Sequence, residues 1–128
     1  MKWTEAEYAA YLQRQRGETR ARARGPEGLS EKAFMAAIVT LATMHGWKVF
    51  HPFDSRRSIP GYPDLTLAKA DEPVVYIECK LAGEKPTIEQ QAWLATLRSA
   101  LHTEVYLWYP EDWPQIEARL TQPWRPTP

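Results

Sequence analysis

From residue 29 onward the apolar positions switch repeatedly between a helical and a strand period. Phe34, Ile38 and Leu41 recur every three or four residues, which predicts a helix with one apolar face. Ser30 is placed to cap its start, and Gly46 to end it just after His45. WKVF (47–50), YPDLTLA (62–68), PVVYIECK (73–80) and EVYLWY (104–109) are short runs of aliphatic and aromatic residues, and each predicts a strand. Only a short turn around 70–72 separates the second from the third, so those two should pair antiparallel. Thr87 opens a second helix reaching about Leu101, and EDWPQIEARL, after Pro110, forms a last one. The order α-β-β-β-α-β-α predicts an α/β fold with a mixed central sheet flanked by helices.

Before residue 29 the pattern differs. Residues 4–16 predict a short helix with Tyr8, Tyr11 and Leu12 on one side, broken by Gly17 and by GPEG at 25–28. The chain therefore divides into an N-terminal helix with a basic linker (1–28), one compact domain (29–121) and a Pro-rich tail (122–128) expected to fray. A length of 128 residues fits a single core. The formal net charge is zero, so the total gives no sign of a polyanionic partner, but the distribution does. RQRGETRARAR (14–24) holds five arginines against one glutamate, and Arg56 and Arg57 stand in the loop before residue 62. Cys79 is the one cysteine, which excludes an internal disulfide and fits a reducing compartment. No apolar run approaches a membrane span, and MKWTEAEYAAYLQ lacks the profile of a signal peptide. The expected setting is cytoplasmic, in a bacterium or a phage-infected host.

The chemistry concentrates where the predicted hairpin opens. Strand alternation puts Val74, Tyr76, Glu78 and Lys80 on one face, and Val75, Ile77 and Cys79 on the other, which reads as buried. Asp64, just after the Pro60–Gly61 bend, begins the neighbouring strand, beside the end of the next. Two carboxylates and an ammonium thus meet at one spot. Mg²⁺ is commonly held by one or two carboxylates with water and substrate phosphate, so Asp64 and Glu78 are candidate ligands, with the Cys79 carbonyl as a third oxygen. Lys80 is placed to orient an attacking water or to stabilise charge growing on a phosphate. The pattern suits phosphodiester hydrolysis.

Pro63-Asp64 followed by Glu78-x-Lys80 resembles the signature of the PD-(D/E)xK nuclease superfamily. The longer string DSRRSIPGYPDLTL, YIECK, TIEQQAWLATLRSA and EVYLWYPEDWPQI, in that order, resembles its VRR-NUC (virus-type replication-repair nuclease) branch over roughly residues 30–120. The resemblance implies a restriction-endonuclease-like αβββαβ core and a Mg²⁺- or Mn²⁺-dependent, structure-specific DNA endonuclease, with junction resolution among the activities of such proteins and a homodimer as the usual assembly. It implies catalytic roles for Asp64, Glu78 and Lys80, a metal-assisting role for Glu31 as the helical acid, and a site role for Gln90 as the helical glutamine. Cys79 stands where the family often has an aliphatic residue. Arg56, Arg57, Ser58 and Lys85 are the candidate DNA contacts.

Plainer explanations compete at several of these positions. Asp64 can be a turn residue, and Glu78 with Lys80 a surface ion pair. Glu31 can be a first-turn acid favoured by the helix dipole. Thr87-x-x-Gln90 has the spacing of a capping box, a rival role for the glutamine. Helical spacing nonetheless aligns Gln90 with Leu94 and Leu97, and aligns Glu31 with Phe34 and Ile38, so both should point inward. His45, His51, Cys79 and His102 match no zinc spacing. Trp93, Trp108 and Trp113 read as core or dimer packing. At the level of function the alternatives are a catalytically idle DNA-binding accessory module and a sequence-specific restriction-type nuclease.

Overall fold

The computed structural model describes residues 29–52 and 59–125. Helix α1 (Glu31–Met44) begins where Ser30 Oγ accepts the Ala33 N–H at 3.0 Å, and it ends at His45. Gly46, with φ at +87°, then turns the chain through a conformation that L side chains rarely adopt. Three strands follow: β1 (Lys48–Phe50), β2 (Leu65–Ala68) and β3 (Val74–Cys79). Helix α2 (Ile88–Ser99) leads to β4 (Thr103–Trp108), then to a 3₁₀ turn (Pro110–Asp112) and helix α3 (Trp113–Thr121). The sheet order is β1-β2-β3-β4. The first two pairings are antiparallel and the last is parallel. A parallel pair needs a crossover, and α2 supplies it between β3 and β4.

The α/β class and the mixed sheet follow the sequence pattern closely. Element ends differ for local reasons. The strand expected from Tyr62 starts only at Leu65, because Pro63 has no N–H for a ladder and the chain is still leaving the Pro60–Gly61 turn. Pro110 does end β4, but it opens a 3₁₀ turn in which Asp112 Oδ2 accepts the Tyr109 N–H at 2.9 Å, and α3 starts two residues later than expected. The tail is not free at its start: the Trp124 N–H donates to Glu72 Oε1 at 3.0 Å. The helix expected at 4–16 and the arginines of 14–24 lie outside the described residues.

The core sits on one face of the sheet. Leu65, Leu67, Val75, Ile77 and Cys79 point into it and are fully buried, meeting Phe34, Ile38 and Leu41 of α1 and Ile116 and Leu120 of α3. Each such side chain contributes on the order of 1.5–3 kcal/mol by leaving water. Trp47 ties the layers together: its Nε1–H donates to the Leu120 carbonyl at 3.0 Å, which satisfies an acceptor at the end of α3. Against the opposite face, Trp93 of α2 meets Tyr62 edge to face, with ring centroids 5.2 Å apart. Trp108 is core, as expected, whereas Trp93 is only partly buried. Among the described residues no helix is long and apolar enough to cross a membrane.

Candidate functional site

The β2–β3 register decides which polar groups meet. Leu65 pairs with Ile77, Thr66 with Tyr76 and Leu67 with Val75. One further step along this ladder sets Asp64 opposite Glu78, on the face turned away from the core. The Asp64 carboxylate is fixed there, because its Oδ2 accepts the Cys79 N–H at 2.8 Å. Lys80, two residues beyond Glu78, shares that face and brings Nζ to 3.5 Å from Glu78 Oε2. Its own main chain is held to β4, the Lys80 N–H donating to the Trp108 carbonyl at 3.0 Å.

Glu78 is the unusual member. It is 1% exposed, and neither carboxylate oxygen accepts a hydrogen bond. Lys80, at 3.5 Å, offers charge without a well-formed hydrogen bond. Burial pushes the Glu78 carboxyl up to about 7, and the facing Asp64 adds to the shift while Lys80 opposes it. Burial raises the Asp64 carboxyl too, against the Cys79 N–H, Lys80 and the facing Glu78 carboxyl, which favour its charged form. A buried carboxylate without donors is costly, and one facing a second carboxylate more so.

Glu31, at the start of α1, belongs to the same electrostatic group. Its carboxyl is raised by burial, then by Asp64 and Glu84, and lowered by Lys80. Glu31, Asp64 and Glu78 are thus three carboxylates that interact with one ammonium, Lys80. Glu84, in LAGEKP, reads in the sequence as a solvated loop charge, and it is exposed, yet it acts on Glu31. The fold gives it a fixed place: its Oε1 accepts the Leu81 N–H at 2.7 Å, and the Tyr109 hydroxyl donates to its carbonyl at 2.8 Å.

Gln90 turns out to be engaged as a cap. Its Oε1 accepts the Thr87 N–H at 2.8 Å, while the Gln90 N–H donates to Thr87 Oγ1 at 3.1 Å. Gln91 is exposed and donates to the Pro86 carbonyl, whereas Gln90 is partly buried. The first turn of α2 also abuts the hairpin entrance: a Cβ on Gly61 would lie 2.5 Å from the Glu89 carbonyl carbon. The Cys79 thiol faces the core and burial raises its pKa, which leaves only its carbonyl for the site. Lys85 is exposed in the loop before α2. Arg56, Arg57 and Ser58 lie outside the described residues.

Among the described residues no group of three or more His, Cys, Asp or Glu side chains is set to hold a metal ion. A site built on Asp64 and Glu78 would thus be completed by main-chain, water or substrate oxygens, the usual manner of Mg²⁺. The two unpartnered oxygens of Glu78 fit a cation. A separate cavity of about 650 Å³ opens at the turn end of the hairpin, between Glu72, His102, Glu104 and Trp124. Two of its acids are already matched, because Arg119 bonds Glu104 at 2.6 Å and Glu72 at 3.0 Å, and the third, Asp71, is exposed. The unpartnered carboxylate of Glu78 lies at the other end. Compared with protein-family models, curated proteins and solved structures, the chain matches none.

Proposed function

We propose that this chain is a divalent-metal-dependent endonuclease of the VRR-NUC type, with the α-β-β-β-α-β part of the fold as its restriction-endonuclease-like core. The single observation that carries the reading is Glu78: a buried carboxylate without hydrogen-bond donors, facing Asp64, with Lys80 at 3.5 Å. A structural ion pair has no need of the second acid, and a core position would hold an apolar residue more stably. The arrangement is one that a cation relieves.

Asp64 and Glu78 would hold Mg²⁺ or Mn²⁺, with the Cys79 carbonyl completing the protein's share. When bound, the ion would supply Lewis-acid activation of water and neutralise charge on the phosphate. Lys80 stands beside this position to orient the attacking water or to donate to a phosphate oxygen as its charge grows. Glu31, across the site on α1, would accept from water molecules around the ion. The Asp64–Cys79 hydrogen bond fixes one oxygen and so presents the carboxylate in one orientation. The substrate in this reading is DNA, branched or otherwise structured, and the assembly a homodimer whose two-fold axis suits paired cuts.

The test is a panel of labelled four-way junction, flap and linear duplex, incubated with Mg²⁺ or with EDTA. Metal-dependent cutting that Asp64→Ala and Lys80→Ala both abolish is the expected result. Binding without cutting under every metal condition would replace the enzyme with an accessory binding module.

A further inference from the structure

The face that carries the two acids also carries two tyrosine rings. On the core side of β2 and β3 every residue is aliphatic or cysteine, and all are buried. On the other side Tyr62 and Asp64, in the segment leading into β2, precede Thr66, and along β3 Tyr76 and Glu78 precede Lys80 just beyond the strand's end. Tyr62 and Tyr76 are only partly buried. Tyr76 stands one strand repeat from Glu78, about 7 Å at ~3.4 Å per residue, and the Tyr62 hydroxyl lies 3.4 Å from Thr66 Oγ1, the residue opposite Tyr76.

Tyr62 is held in place. Its N–H donates to the Ile59 carbonyl at 3.2 Å, its ring stands edge to face against Trp93 at 75°, and Gly61 before it is packed on the first turn of α2. Tyr76 pairs with Thr66 across the strands, and its hydroxyl makes no hydrogen bond to any described residue. A tyrosine phenol is neutral at ordinary pH, and burial and the nearness of Tyr62 raise this one further. A neutral, partly exposed ring one repeat from the proposed cutting position is suited to stack on a base.

Resting on the nuclease reading above, we propose that Tyr76 and Tyr62 form a stacking subsite for one unpaired nucleobase next to the scissile phosphate. Bases inside a duplex are stacked on both faces and cannot lie on a tyrosine without leaving the stack. The subsite therefore selects strands with an unpaired nucleotide at the cut, such as a flap or a junction arm, over continuous duplex. It makes Tyr76 and Tyr62 specificity-determining residues.

The experiment uses the full chain carrying Lys80→Ala, with Ca²⁺, so that binding is read without cutting. Oligonucleotides carry 2-aminopurine at the unpaired position of a flap or at the matching position of a duplex. Binding should quench the flap probe. Adding Tyr76→Leu or Tyr62→Leu should remove the quench and weaken flap binding about 5- to 100-fold, with duplex binding unchanged. Tyr76→Phe, which keeps the ring, should retain both. Equal losses on flap and duplex, or a quench that survives both leucine variants, would overturn the subsite and leave the nuclease reading standing. Failure of the Lys80→Ala protein to bind any DNA form would remove both.

Discussion

Replacing Glu78 by glutamine keeps the shape of the side chain and removes one buried charge. Because its carboxyl moves from an ordinary 4.5 up to about 7, the folded protein retains a proton that the unfolded chain has already released across that interval. Stability of the metal-free protein should therefore fall as pH rises from about 4.5 to about 7, then level off. At pH 8 the ionised group costs about 3 kcal/mol, and at pH 5 less than about 1 kcal/mol. Asp64, also raised, pushes in the same direction. In Glu78→Gln this dependence should flatten. The amide can donate to Asp64, so the variant in EDTA should be more stable than the parent at pH 8, by about 1–3 kcal/mol, and similar at pH 5. Mg²⁺ should reverse the order: at a hundred times its dissociation constant it adds about 2.7 kcal/mol to a protein that binds it, and Glu78→Gln should gain little. Urea melts followed by tryptophan fluorescence suit the test, since Trp47 and Trp108 are buried. A metal-free parent whose stability is flat or rises from pH 5 to pH 8 would refute the reasoning, as would a variant destabilised by more than about 1 kcal/mol at pH 8.

The remaining predictions concern neighbouring groups. Asp64→Ala should abolish cleavage and weaken Mg²⁺ binding in calorimetry, while Lys80→Ala should abolish cleavage and leave Mg²⁺ binding measurable. Gly61→Ala should cost at least about 2 kcal/mol in urea melts, because a φ of +87° and a 2.5 Å approach to Glu89 backbone combine strain with a clash that no side-chain movement relieves. Gln90→Glu keeps the capping geometry, so α2 should melt as before; a steep loss of cleavage in that variant would show that the glutamine serves the reaction as well as the cap. Gln90→Ala should lose about 1 kcal/mol of stability through the missing cap.

Much of this site was readable along the chain because it is local. Period-two alternation alone put Glu78 and Lys80 on one face and Val75, Ile77 and Cys79 on the other, and the short turn at 70–72 required an antiparallel partner carrying Asp64. The caps at Ser30 and Thr87 are equally local, as is the end of α1 at Gly46. These are properties of a backbone with few soft dihedrals, and neighbours in sequence fix them.

Other features depend on segments brought together from far apart. Spacing allowed Gln90 both a cap and a site role, and only the placed Thr87 N–H puts its Oε1 in the capping box. Glu84 gained its position from Tyr109, twenty-five residues on. The solitude of Glu78 is the clearest case. The sequence shows a glutamate at the end of an apolar strand, where burial and exposure are equally open. Its environment was set when the sheet, α1 and the loop after β3 closed around it, because desolvation and Coulomb interaction depend on distance through space, which strand order and helix packing determine and chain order does not.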